Sequence, residues 1–137
     1  MSPEARFEAL GMCDPGELEA LADKLLEEVL AEVLAGPEVA VAPVRVPGAE
    51  GEGSVVVARL PVTRCTVSVE GTRGDAIVAG RSPRGALAAA LLDAEAERRG
   101  PLAGEVDRLC RSALERRRGR LAREAEGVAS TRIEAAV

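Results

Sequence analysis

Two arginines bracket a predicted helix start at Gly80-Arg81-Ser82-Pro83-Arg84. A helix N-terminus offers free backbone N–H groups and a partial positive charge. The segment therefore suits an anion, either a phosphate or the carboxylate of a partner. A capped helix carrying two solvated arginines uses the same residues and is the plainer reading. With Arg64, the residues Arg81, Ser82 and Arg84 make up the candidate anion or partner contacts. No residue is assigned as catalytic or metal-binding, and no cofactor is expected. The chain has no His, so the commonest general base and metal ligand is missing. It has no Tyr and no Walker loop. Gly48-Ala49-Glu50-Gly51-Glu52-Gly53 is glycine-rich but acidic; it repels phosphate and reads as a flexible hairpin connection.

Cysteine and carboxylate chemistry fare no better. Cys13, Cys65 and Cys110 have no metal-like spacing. Arg64 precedes Cys65, but neighbours on a strand point to opposite faces, so Cys65 reads as a small core residue. Cys110, on the apolar face of a predicted helix, reads the same way. Glu19, Asp23, Glu27 and Glu28 lie on the polar face of a helix and read as solvated surface. Arg116-Arg117-Arg118-Gly119-Arg120 is a basic run, yet the chain has one aromatic residue, Phe7, and a net charge of −5. Stacking on bases is not available to it, so a protein contact or an intramolecular contact to the acidic first helix is expected rather than nucleic acid.

These residues must be carried by a small set of elements. The stretch 2–11 suits a short helix. Asp14-Pro15-Gly16-Glu17 is a strong helix start, with a capping Asp and Pro at the first helical position. Leu18, Leu21, Ala22, Leu25, Val29 and Val33 follow at helical spacing, and Gly36-Pro37 is the expected stop. Four short strands are expected at 39–46, 54–60, 64–69 and 75–79, with turns at Pro47-Gly48, Pro61 and 71–74. Cys65, Val67 and Val69 alternate with Thr66, Ser68 and Glu70, which buries one face, and the tight turns make an antiparallel meander. Ser82-Pro83 starts a helix to about Arg99. Its run from Ala86 to Ala94 is apolar nearly all round and so needs cover on more than one side, from the first helix or another subunit. Gly100-Pro101 precedes a helix over 102–118 with Val106, Leu109, Cys110 and Ala113 on one face, continuing weakly to 126. The tail 130–137 fits helix or edge strand equally. The expected fold is α+β, two-layered, in one domain spanning 1–137.

Composition agrees with a globular chain of 137 residues, 47% hydrophobic and 30% charged. A core of Leu, Val, Ile and Ala buries less per residue than an aromatic one, so a partner could supply missing burial. Charge is uneven. Residues 1–36 hold nine acidic side chains against Arg6 and Lys24, whereas 98–123 hold nine arginines against Glu105, Asp107 and Glu115. Arg in place of Lys favours bidentate contacts, and a GC-rich genome produces the same bias. The unpaired cysteine count reads as reduced thiols. Neither a signal peptide nor a membrane-length apolar run is seen, so a cytoplasmic setting without membrane contact is expected.

From residue 55 onward the order of segments resembles a known family. Val55-Val56-Val57-Ala58-Arg59 is followed by Val62-Thr63-Arg64-Cys65, Val67-Ser68-Val69-Glu70-Gly71 and Val78-Ala79-Gly80-Arg81. An Ala/Leu helix then ends in Ala90-Leu91-Leu92-Asp93-Ala94. The helix after Asp14-Pro15 and the tail Ala129-Ser130-Thr131-Arg132-Ile133-Glu134 are similar too. The pattern is that of the G subunit of the bacterial phosphonate carbon–phosphorus lyase system (PhnG). This chain differs in lacking a glycine-rich loop between Arg59 and Val62, and in lacking histidines near Asp75 and Ser82. The resemblance implies a non-catalytic assembly subunit of a core complex with H, I and J subunits, touching an I-type subunit most directly. That complex, with an ATPase-like L subunit, forms ribose 1-phosphonate 5-triphosphate from ATP and phosphonate. Alone, the chain is expected to self-associate as a homo-oligomer or to melt low, and to gain stability when an I-type partner binds. The alternative is a free-standing small-anion-binding or regulatory module built on Arg81 and Arg84.

Overall fold

A computed structural model describes residues 1–49 and 53–136. Its elements run α1 (Pro3–Met12), α2 (Pro15–Leu26), β1 (Ala31–Pro47), β2 (Ser54–Val69), β3 (Thr72–Ala79), α3 (Pro83–Glu97) and α4 (Ala103–Ala136). The fold is α+β, with an antiparallel sheet in the order β1-β2-β3. Local signals start the first two helices. Ser2 Oγ accepts the Ala5 N–H at 3.1 Å, Asp14 Oδ2 accepts the Glu17 N–H at 3.2 Å, and Pro opens both helices.

The first departure from expectation is the end of α2. The helix stops at Leu26, not at Gly36-Pro37, and Ala31 opens a 17-residue strand. Ala31 pairs with Val69 and Val33 with Val67, so the ladder claims residues whose spacing and propensity also suit a helix. Val33 is exposed rather than part of an apolar helical stripe. Gly36-Pro37 sits instead where the β1–β2 register shifts between Ala35 and Glu38. Gly36 has φ +76°, and a Cβ there would fall 2.6 Å from the Arg64 carbonyl oxygen, so glycine suits the site.

The sheet has three strands rather than about four, because 54–60 and 64–69 form one strand through Pro61. Pro61 pairs with Val41, and its carbonyl accepts the Gly80 N–H at 2.8 Å. N–H and C=O of one strand residue point to the same side. The missing N–H therefore falls where β3 has just ended, and no ladder bond is lost. Arg59 to Val62 pairs without interruption with Pro43 to Ala40, so the strand is continuous where a loop is absent. The β2–β3 turn is Glu70-Gly71, both at positive φ (49° and 84°), and Thr72, Arg73 and Gly74 belong to β3.

Alternation puts Thr63, Cys65, Val67 and Val69 on the same face as Gly74, Ala76 and Val78, and α3 covers that face. The approach is close: a Cβ on Gly74 would lie 2.2 Å from the Ala90 carbonyl oxygen. Ala86, Ala88–Ala90, Leu91, Leu92 and Ala94 are all buried, with α2 and α4 packed on the outer side of α3. The nearly all-round apolar helix is thus covered within the chain. The unburied apolar surface lies elsewhere: Val39, Val41, Val44, Val46, Val55, Val57 and Leu60 are exposed on β1 and β2. The last helix is longer than expected, and the tail extends it to Ala136.

Candidate functional site

The strand-to-helix crossing is fixed by one buried side chain. Thr63 Oγ1 donates to the Gly80 carbonyl at 2.7 Å and accepts the Ser82 N–H at 2.9 Å. Gly80, at φ +79°, makes the turn that delivers Ser82 to the N-cap of α3. The Ser82 hydroxyl makes no capping bond, which corrects the simple picture of a capped start; the backbone bond to Thr63 does the anchoring. Arg81 and Arg84 are both exposed at this end of α3.

The four candidate contacts do not converge. Arg84 borders a hollow of about 240 Å³ between α2 and α3, with Glu19 and Asp23 on the rim and Leu26, Leu87 and Leu91 in the wall. Arg64 lies on the open face of the sheet, where its Nε meets Glu38 Oε1 at 2.5 Å beside Phe7 and Ile77. Ser82 faces a third hollow of about 340 Å³, lined also by Cys13, Pro15, Gly85 and Arg120. There the N-termini of α2 and α3 come together: a Cβ on Gly85 would lie 3.6 Å from Pro15 Cβ. Arg120 comes from the basic run, and no local signal links it to Ser82. Another member of that run, Arg117, pairs with Glu8 of α1, so the intramolecular contact is made to the N-terminal helix rather than to the one after Asp14.

An ionic clasp escaped the sequence entirely. Arg6 of α1 binds Asp93 (2.7 Å) and Glu97 (2.7 Å) of α3. The second Asp93 oxygen accepts the Asp75 N–H at 3.0 Å, which satisfies a donor on the edge strand β3. Asp75 in turn accepts from Thr66 at 2.7 Å and from Arg73. The Arg73 hydrogen bond holds the Asp75 carboxyl below the usual carboxylate range despite partial burial. A second surprise is Glu95, fully buried, which takes the Leu102 N–H at 3.0 Å and Arg98 Nε at 2.6 Å and so fastens the α3–α4 turn. The Arg6 contacts span 87 and 91 residues, whereas those of Glu95 are local, and in both cases the carboxylates are already paired.

The three thiols are free and buried. Burial pushes Cys13 up to about 11 and Cys110 up to about 12, and it raises Cys65 as well. At neutral pH they are protonated and poorly nucleophilic. What the surface does present is exposed arginines, a long apolar ribbon and one open sheet face. Among the described residues no helix is long and apolar enough to cross a membrane.

Comparison with known proteins adds one finding. A family model described as phosphonate metabolism protein PhnG matches residues 3–136. No curated protein matches the chain.

Proposed function

The chain belongs to the PhnG family of phosphonate metabolism proteins, and from that premise we propose that it is a non-catalytic assembly subunit of a carbon–phosphorus lyase core complex. In this reading residues 1–137 act as one domain in the cytoplasm, beside H, I and J subunits and most directly against an I-type subunit. It supports the step in which ATP and a phosphonate yield ribose 1-phosphonate 5-triphosphate, while the reacting groups belong to its neighbours. The observation that carries the proposal is the family match across nearly the whole chain. The burial and protonation of all three thiols and the pairing of the buried carboxylates favour support over chemistry.

In the same reading Arg64, Arg81, Ser82 and Arg84 are contacts for a partner carboxylate rather than one anion pocket, since Arg64, Ser82 and Arg84 border separate hollows and Arg81 stands exposed at the start of α3. Co-expression with the H, I and J subunits of the same genome tests the proposal. Affinity capture through the chain should retain an I-type subunit through sizing chromatography. A chain that elutes alone from such a preparation would refute it.

A further inference from the structure

Seven residue pairs, from Val41↔Pro61 to Pro47↔Ser54, extend β1 and β2 past the end of β3. At about 3.3 Å per residue this makes a two-stranded arm roughly 23 Å long. The arm is closed at its far end by the Gly48 N–H on the Gly53 carbonyl, at 2.8 Å. A lone two-stranded ribbon is marginal in water, and this one is apolar. Pairing and alternation place Val44, Val46, Val55, Ala58, Leu60 and Val62 on one face, which carries no charge at all. The opposite face holds the only two charges between 39 and 47 and between 54 and 62, Arg45 and Arg59.

The arm's edge and its faces are built differently. Along the arm the outer strand carries Pro43 and Pro47, and a register shift falls between Val44 and Arg45, devices that discourage strand addition. The faces have no such protection: Val41 is 62%, Val57 60% and Leu60 53% exposed. Burying one Val or Leu completely removes about 60–120 Å². The seven large apolar residues of the arm and its root, at about half exposure, then offer roughly 200–400 Å² over both faces together. A stable interface takes about 800 Å² from each partner, somewhat over half of it apolar. One face alone falls well short, so stacking against the same face of a second copy does not suffice. The best-formed hollows among the described residues also suit a second copy's arm poorly: the roomiest of them, about 550 Å³, is lined by the Arg6–Asp93 clasp.

We infer that the arm inserts into a cleft of a different protein subunit, one with an apolar wall against the Val44–Leu60 face and carboxylates at the rim opposite Arg45 and Arg59. This inference rests on the assembly reading above and names the surface that would carry it. The test compares the full-length chain with Leu60→Glu, Val55→Glu and Arg59→Glu in capture of the co-expressed I-type subunit, and follows amide exchange over 39–47 and 54–62. Leu60→Glu and Val55→Glu should each weaken capture by at least about tenfold. Arg59→Glu should weaken it less, by an amount that shrinks as salt is raised. The arm amides should become protected in the complex. The melting point of each isolated variant should match that of the parent, because the arm lies outside the core. Equal capture of parent and variants, or unprotected arm amides in a stable complex, overturns the arm inference and leaves the assembly reading standing. Failure of the parent itself to capture the subunit overturns both. A parent homodimer broken by Leu60→Glu overturns the choice of occupant.

Discussion

Cys13 and Cys110 make the residue scale measurable. Burial raises them to about 11 and about 12, against about 8.5 for a thiol in an unfolded chain. On raising the pH, the unfolded state therefore loses its thiol protons first. Stability is whole below about pH 8.5 and falls as the pH climbs toward the folded values, by up to about 1.4 kcal/mol per pH unit for each ionising thiol. The chain is well suited to the measurement, since it has no Tyr and only one Lys to titrate nearby. Urea midpoints at pH 7, 9 and 10 should fall steadily, and Cys110→Ala should flatten the slope. A midpoint that does not move over that range would show that the thiols are open to solvent. The placement of Cys65 and Cys110 in the core was legible in sequence because strand and helix periodicity put each on an apolar face. The Arg6–Asp93–Glu97 clasp was not, because its partners lie 87 and 91 residues apart and nothing local marks them.

At the scale of elements, α3 and the sheet are held together by an absence of side chain. Gly74 brings β3 so near Ala90 and Ala94 that even a methyl group meets backbone atoms at 2.2 and 2.6 Å. Gly74→Ala should lower stability by about 1–3 kcal/mol or more, read as a drop in the denaturation midpoint with the ribbon residues unaffected. A stability equal to the parent would mean that α3 rides farther from the sheet. The helix starts at Pro15 and Pro83 were legible because a proline at the first helical position is a local signal, joined at Pro15 by the capping Asp14. The end of α2 was not. Ala31, Glu32, Leu34 and Ala35 are good helix formers, with Val33 in phase with Leu25, and only pairing with residues 66–69 some thirty positions later decides for a strand. Pro61 misled for a related reason: a proline interrupts a ladder only if its missing N–H faces a partner, and here the partner strand has already ended. Ser82 is the mirror case in the site, correctly placed at a helix start but anchored through its backbone by Thr63, a contact that no local rule supplies.

The whole molecule has a closed side and an open side. Helices pack around α3 and bury it, while a three-stranded sheet turns one face and a long apolar arm outward. Such a division suits a subunit whose surface is completed by another protein: of the two covers open to α3, the chain's own helices supply one, and the proposed partner surface is the β1–β2 arm. The measurement that bears most directly on a phosphonate assembly role is an omission experiment. ATP and methylphosphonate are incubated with the G, H, I, J and L subunits of one genome, this chain serving as G, and adenine release is followed. The full set should release adenine, this chain alone should release none, and the set lacking it should be slower by at least about tenfold. Adenine release by this chain alone, or an undiminished rate without it, would contradict the account.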